Sequence, residues 1–174
     1  MSSNDYYLSR KDQLLREFDK KQRRVKRVAV SHYGEDLTNT IQEAARQVYE
    51  GLLPDLPYIG GDANPWTDFI NTTALSLAVY RALKAHGRTV EEAGRTLYQM
   101  SQALLEGYPR LLLRLLGRQK FTSRYREALR KRAAASQDRR YPGDWVFTYV
   151  EGNGKDFDYG LDITECGTCK YLHA

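Results

Sequence analysis

The chain has 174 residues, a net charge of +5, 41% hydrophobic residues and 28% charged ones. That is the length of one domain with enough apolar content for a core, which excludes wholesale disorder. No apolar run approaches the roughly 18 residues of a membrane-spanning helix. The first 30 residues carry nine Lys or Arg and no apolar signal core, so the expected setting is the cytosol, away from secretion and the membrane. Two cysteines, Cys166 and Cys169, cannot make a disulfide framework.

The charge is unevenly spread. Residues 1–32 hold nine basic and four acidic side chains, residues 33–106 five and ten, residues 107–140 eleven and two, and residues 141–174 two and six. The basic blocks either pair with the acidic ones or meet an anionic partner. One domain over 1–174 is expected, with a basic N-terminal helix (1–32), a helical region (33–140) and a hairpin with the cysteine motif (141–174).

Residues 5–28 read as a helix with a weak stripe of Leu8, Leu15, Phe18, Val25 and Val28. Its cations from Lys20 to Arg27 suit the negative end of the helix dipole. Residues 36–53 place Leu37, Ile41, Ala44, Ala45, Val48 and Leu52 on one helical face, and Pro54 and Pro57 end it. Asn64 and Pro65 read as cap and first position of a helix running to about Ala85, apolar nearly all round from Ala74 to Leu83 and therefore central. Gly87 stops it. Thr89 and Glu92 form a capping box for a helix ending at Gly107. A short helix is expected from Pro109 to Leu116 with Gly117 as its cap. A basic one follows over 122–136, with Phe121, Tyr125, Leu129 and Ala133 facing inward.

The pattern changes after Tyr141-Pro142-Gly143-Asp144. Trp145 to Val150 is aromatic and β-branched, a strand signal. Gly152-Asn153-Gly154 is a turn. Phe157 to Ile163 alternates, with Phe157, Tyr159, Leu161 and Ile163 toward a core and Asp158, Gly160 and Asp162 away from it. The expected class is α+β: a helical, bundle-like N-terminal region, a β-hairpin and a short C-terminal helix. Two strands are marginal alone. Either the hairpin lies on the helices as a minimal sheet, or further strands belong after Ala174.

Chemistry concentrates in Asp158-Tyr159-Gly160-Leu161-Asp162-Ile163-Thr164-Glu165-Cys166-Gly167-Thr168-Cys169-Lys170. Thr164 is expected to end the strand and cap a short helix, with Cys166 in its first turn, where backbone N–H groups favour a thiolate. Glu165 opposes this by its charge. Four readings stay open. They are a zinc site helped by His32, His86 or His173, a redox dithiol, a catalytic cysteine assisted by carboxylates, and two packed thiols. Asp158 and Asp162 share a strand face on the order of 13 Å apart, too far for a paired acid and base. Asp162 and Glu165 flank the turn nearest Cys166, and any of the three carboxylates could serve as general base for water.

This segment resembles the signature of the L-2-amino-thiazoline-4-carboxylic acid hydrolase family. Arg140-Tyr141-Pro142-Gly143-Asp144-Trp145-Val146 is similar to that family as well. So are Ile59-Gly60-Gly61 with Asn64, and the helix with Leu77, Tyr80, Arg81, Ala82 and Leu83. The resemblance spans about residues 50–172. It implies hydrolytic opening of a cyclic amidine, such as 2-amino-thiazoline-4-carboxylate, to a carbamoyl-cysteine. It puts Cys166 at the centre with Asp162 and Glu165 beside it. Asp158, Thr164, Cys169 and Arg140 are the expected substrate contacts, Arg140 or Arg139 meeting the substrate carboxylate. Members continue past the cysteine motif with a further Cys- and Asp-bearing segment and a closing strand.

The expected partner is therefore a small molecule. No cofactor is implied, a divalent metal stays open, and exposed strand edges favour a homo-oligomer. The alternatives are a non-enzymatic small-ligand or metal-binding sensor, and a nucleic-acid-associated helical protein using the basic blocks at 20–27 and 110–132.

Overall fold

The computed structural model describes residues 3–173. The fold is α+β, 70% helical, with a two-stranded antiparallel hairpin and a short C-terminal helix. It forms two compact units, one from the chain up to Tyr58 with Thr67–Tyr108, the other from Ile59–Trp66 with the chain from Pro109 onward. Among the described residues no helix is long and apolar enough to cross a membrane.

The first unit comprises α1 (Ser3–Leu8), α2 (Lys11–Tyr33), α3 (Glu35–Leu52), α4 (Thr67–Ala85) and α5 (Val90–Glu106), with a 3-10 turn at Leu53–Asp55. Helix α2 packs on α3 and α5, and α4 packs on the same two, so these four helices close around one core. Ala74, Ala78 and Ala82 recur one turn apart and are all buried, giving α4 a stripe of small residues for close helix packing. Phe18 stacks on Tyr49 with ring centroids 4.9 Å apart, and the Tyr49 hydroxyl donates to Asn71 Oδ1 inside the core.

The helix expected over 5–28 is two helices. Ser9 Oγ donates to the Tyr6 carbonyl at 3.0 Å, a local bond that competes with helix continuation. Tyr6 and Tyr7 are buried, and the Tyr7 hydroxyl reaches the Pro57 carbonyl at 3.2 Å. Helix α2 then runs on past 28 because Ala29 is still core, and Gly34 separates it from α3. Past the end of α4, Arg88 N–H bonds the Leu83 carbonyl and Gly87 N–H the Lys84 carbonyl, the paired pattern of a glycine stop.

The capping box at the start of α5 is present. Glu92 N–H donates to Thr89 Oγ1 at 3.1 Å and Thr89 N–H to Glu92 Oε2 at 2.8 Å. Thr89→Ala is expected to cost about 1 kcal/mol, read as a lower urea midpoint at unchanged m-value. An unshifted midpoint would show that the cap is dispensable.

The second unit comprises the turn 59–66, α6 (Arg110–Gln119), α7 (Ser123–Ser136), β1 (Val146–Glu151), β2 (Tyr159–Glu165) and α8 (Gly167–His173). Asn64 keeps a capping role, accepting the Trp66 N–H at 3.0 Å, but the regular helix begins at Thr67. Asn64 also closes the 3-10 turn Gly61–Ala63, its N–H bonding the Gly61 carbonyl at 3.0 Å. Helix α6 runs past Gly117, which keeps a helical backbone instead of the left-handed one that stops a helix. It buries no residue and exposes five leucines, Leu111 most of all at 69%.

Helix α7 packs on β1 through buried Leu129 and Ala133. Ser136 Oγ both donates to the Phe147 carbonyl and accepts its N–H, and Gln137 Nε2 donates to the same carbonyl at 2.8 Å. Arg130 grips Glu151 with two parallel bonds of 2.6 and 2.8 Å. This helix is what a two-stranded sheet needs to stand. Phe121 is 56% exposed, not inward, because Thr122 caps α7 and leaves Phe121 outside it.

The second strand is shifted from the expected 157–163 to Tyr159–Glu165. Its face is only partly covered: Tyr159 and Leu161 are half-buried, while Phe157 and Ile163 are exposed. The cause is that α7 lies against β1, so β2 is the outer strand. Asn153 Oδ1 accepts the N–H groups of Lys155 and Asp156, which shapes a longer connection than the expected tight turn.

Candidate functional site

The cysteine motif lies where β2 passes into α8. Pairing runs Phe147 with Ile163 and then Val146 with Glu165, so Thr164 is an extra residue on β2, a β-bulge. Its hydroxyl donates to the Val146 carbonyl at 3.2 Å. The bulge carries the strand through Glu165. Thr164 is therefore not the helix cap; Cys166 stands immediately before α8 and Cys169 within its first turn. The first helical bond, Lys170 N–H to the Cys166 carbonyl, measures 2.9 Å.

Close packing seats this junction. A Cβ on Gly167 would stand 2.5 Å from the Gly143 carbonyl oxygen and 2.8 Å from the Trp145 ring, so only glycine fits. Trp145 is 7% exposed and meets Trp66 edge to face at 4.9 Å, and Trp66 stacks on Phe147 at 4.8 Å.

Glu165 does not set its charge against the thiol unopposed. Its Oε2 is 2.6 Å from Lys170 Nζ and its Oε1 accepts Arg139 Nε at 2.7 Å. These two bonds, Lys170 foremost, hold the carboxyl below the usual range. Lys170 Nζ also donates to the carbonyls of Pro142 and Asp144. Arg139 takes a left-handed backbone, φ 47°, uncommon without glycine and a mark of local strain.

Partial burial pushes the Cys166 thiol up. The N–H groups of Cys169 and Thr168, the Cys169 thiol and the Trp145 indole outweigh it and leave Cys166 below the ordinary thiol value. Cys169 is pushed the other way, first by its hydrogen bond to Cys166 and then by that neighbour's charge.

A cleft of about 250 Å³ opens beside this junction, lined among others by Gly60, Asn64, Trp66, Arg132, Arg140, Asp144 and Trp145. Asn64 is its hub. Its Nδ2 donates to the Ile59 carbonyl and to Asp144 Oδ2, both at 2.7 Å, and its Oδ1 accepts Arg132 Nη2 at 2.7 Å as well as the Trp66 N–H. The Arg132 guanidinium lies 4.9 Å from the Trp66 ring centroid. Burial pushes Arg132 down, opposed by the charge of Asp144. Gly60 has φ 110°, and a Cβ there would come within 3.1 Å of the Tyr141 ring.

Of the residues expected at the site, the structure gathers Glu165, Cys166 and Cys169 at the junction and puts Arg140 in the wall of the cleft. Asp162 is exposed on β2 opposite Thr148, and Asp158 is exposed in the connection before β2. None of the cysteine-motif residues lines the cleft, but Trp145 borders both it and Cys166. Among the described residues no three His, Cys, Asp or Glu side chains stand close enough to share a metal ion. His32 pairs with Gln99, and His86 with the Ala82 carbonyl. Nothing in the sequence singled out Arg132, assigned a role to Asp144 or showed the clamp of Lys170 on Glu165; the links of Arg132 and Asp144 to Asn64 span 68 and 80 residues. The 59–64 turn and the 140–146 segment, both marked by the family resemblance, supply much of the cleft's lining.

No protein-family model, curated protein or solved structure matches this chain.

Proposed function

We propose that this protein is a small-molecule hydrolase in which the Cys166 thiolate attacks the C2 amidine carbon of a cyclic amidine of the 2-amino-thiazoline-4-carboxylate class. The observation that carries this reading is the setting of Cys166, whose N–H, thiol and indole neighbours favour its thiolate against the cost of burial. Attack forms a C–S bond to Cys166. Cleavage of the ring C–S bond then releases the substrate thiol, which takes up a proton. Water adds to the resulting isothiourea carbon, expels Cys166, and leaves the carbamoyl product.

The family resemblance supplies the substrate class. Glu165 is held below the usual carboxyl range by Lys170 and Arg139, so its charge is paired with those cations next to the motif. Arg140 in the cleft wall is the group proposed for the substrate carboxylate. A cytosolic location and self-association through the free strand edges belong to the same reading.

The test is formation of carbamoyl-cysteine from 2-amino-thiazoline-4-carboxylate, followed by mass spectrometry. Cys166→Ser is expected to lose at least about 10³-fold in turnover, and Cys169→Ser, which withdraws only one of the groups favouring the thiolate, a much smaller part of it. Full turnover in Cys166→Ser, or none in the parent protein, removes the reading.

A second reading is favoured by one observation: the cleft carries Arg132, Arg140 and Trp66 but not Cys166. It makes the protein a binding module for a small anionic ligand, without hydrolysis. Binding of the same thiazoline that is unaffected by Cys166→Ser, together with absent turnover, would support it.

A further inference from the structure

We infer that Cys166 and Cys169 form a redox-active dithiol, which closes to an intramolecular disulfide by exchange with a low-molecular-weight disulfide of the glutathione type. The inference stands whether or not the protein hydrolyses a thiazoline.

The geometry comes first. Cys166 is the residue before α8 and Cys169 is the third residue of that helix. Side chains one helical turn apart have Cβ atoms about 5–6 Å apart, and a disulfide brings them to about 3.5–4.5 Å. Each thiol shifts the titration of the other, as direct neighbours do. Closing the bond therefore needs side-chain rotation and an inward shift of about 1–2 Å in the first turn of α8. Both thiols are free, with Cys169 exposed and Cys166 half-buried against Trp145. Gly167 between them lets Trp145 and the Gly143 carbonyl pack against the loop, which seats the pair on a buried aromatic cluster.

The chemistry follows from the difference between the two thiols. Cys166 is held below the ordinary thiol value and Cys169 above it, so Cys166 is the more readily ionised of the two and the attacking thiol. The Cys166 thiolate attacks one sulfur of the small disulfide; a mixed disulfide forms and one small thiolate leaves. With the Cys166 charge gone, Cys169 loses its proton more readily. It attacks Cys166 Sγ, forms the intramolecular bond and expels the second small thiolate. The protein pair loses two electrons and two protons, and one small disulfide becomes two small thiols.

The test equilibrates the reduced full-length protein anaerobically in buffers of graded reduced-to-oxidised glutathione ratio. Samples are acid-quenched, free thiols are alkylated, and intact masses are read. The expected product under oxidising ratios is a monomer with both thiols masked and no glutathione attached. Cys169→Ser should instead accumulate glutathione on Cys166, at least about tenfold above the parent protein, because the resolving thiol is gone. Far-ultraviolet circular dichroism checks that both forms are folded. A parent protein that stays a dithiol in excess oxidised glutathione overturns the inference. So does one that accumulates mixed disulfides or covalent dimers instead of the internal bond.

Discussion

Trp145→Ala is expected to lower unfolding stability by about 3–5 kcal/mol and to move Cys166 alkylation to higher pH. Trp145 is 7% exposed and abuts Trp66, which in turn stacks on Phe147 at 4.8 Å. Removing the indole opens a cavity beside the Trp66 ring, which is held in place by its stacking on Phe147 and by the Arg132 guanidinium. The same indole packs against Gly167 and bonds the Cys166 thiol, so its loss withdraws one of the groups that favour the thiolate. Urea unfolding reads the first effect, and the pH dependence of iodoacetamide alkylation, assigned by mass, reads the second. The two should move together. A destabilised variant with an unchanged alkylation profile would mean that Trp145 supports the fold without tuning the thiol.

Asn64→Ala is expected to cost about 3 kcal/mol. One side chain here donates to the Ile59 carbonyl and Asp144 and accepts from Arg132 and the Trp66 N–H. Two of those partners are charged, and bonds to charged groups contribute more than neutral ones. Arg132 is half-buried, so losing its acceptor leaves a cation facing the Trp66 ring with weaker support from Asp144 and Tyr125. Asn64→Asp is not a rescue: it keeps an acceptor for Arg132 but sets a second carboxylate against Asp144 Oδ2, where the amide was donating. Only an amide offers donor and acceptor together at this point. Urea midpoints of the two variants check this. An Asn64→Asp protein as stable as the parent would show that the Asp144 contact contributes nothing.

Local structure was largely legible in the sequence. Three- and four-residue apolar spacing marked α3, a cap, a proline and an apolar stretch from Ala74 to Leu83 marked α4, a Thr and a Glu three apart marked the start of α5, and alternation marked the hairpin. These signals are local: a periodic pattern, a cap and a turn residue act within a few positions of themselves. The boundaries that failed are those where a distant partner or a competing local bond intervened. Ser9 ends α1 through its own hydroxyl, while Tyr7 is held by the Pro57 carbonyl. The bulge at Thr164 comes from pairing with Val146, and it moved the cap from Thr164 to Cys166.

The same division runs through the candidate site. The sequence by itself determined that two thiols stand three apart after a strand, with Glu165, Thr168 and Lys170 around them. It did not determine which way Glu165 would point, and that decides whether its charge bears on the thiol. The tertiary structure turned that carboxylate onto Lys170 and Arg139 and laid Trp145 against Cys166. It also joined Asn64, Arg132 and Asp144 into one cleft across 68 and 80 residues of chain. Hydrogen bonds and burial depend on separations in space, and a chain's order reports those only where neighbours in sequence are neighbours in the fold.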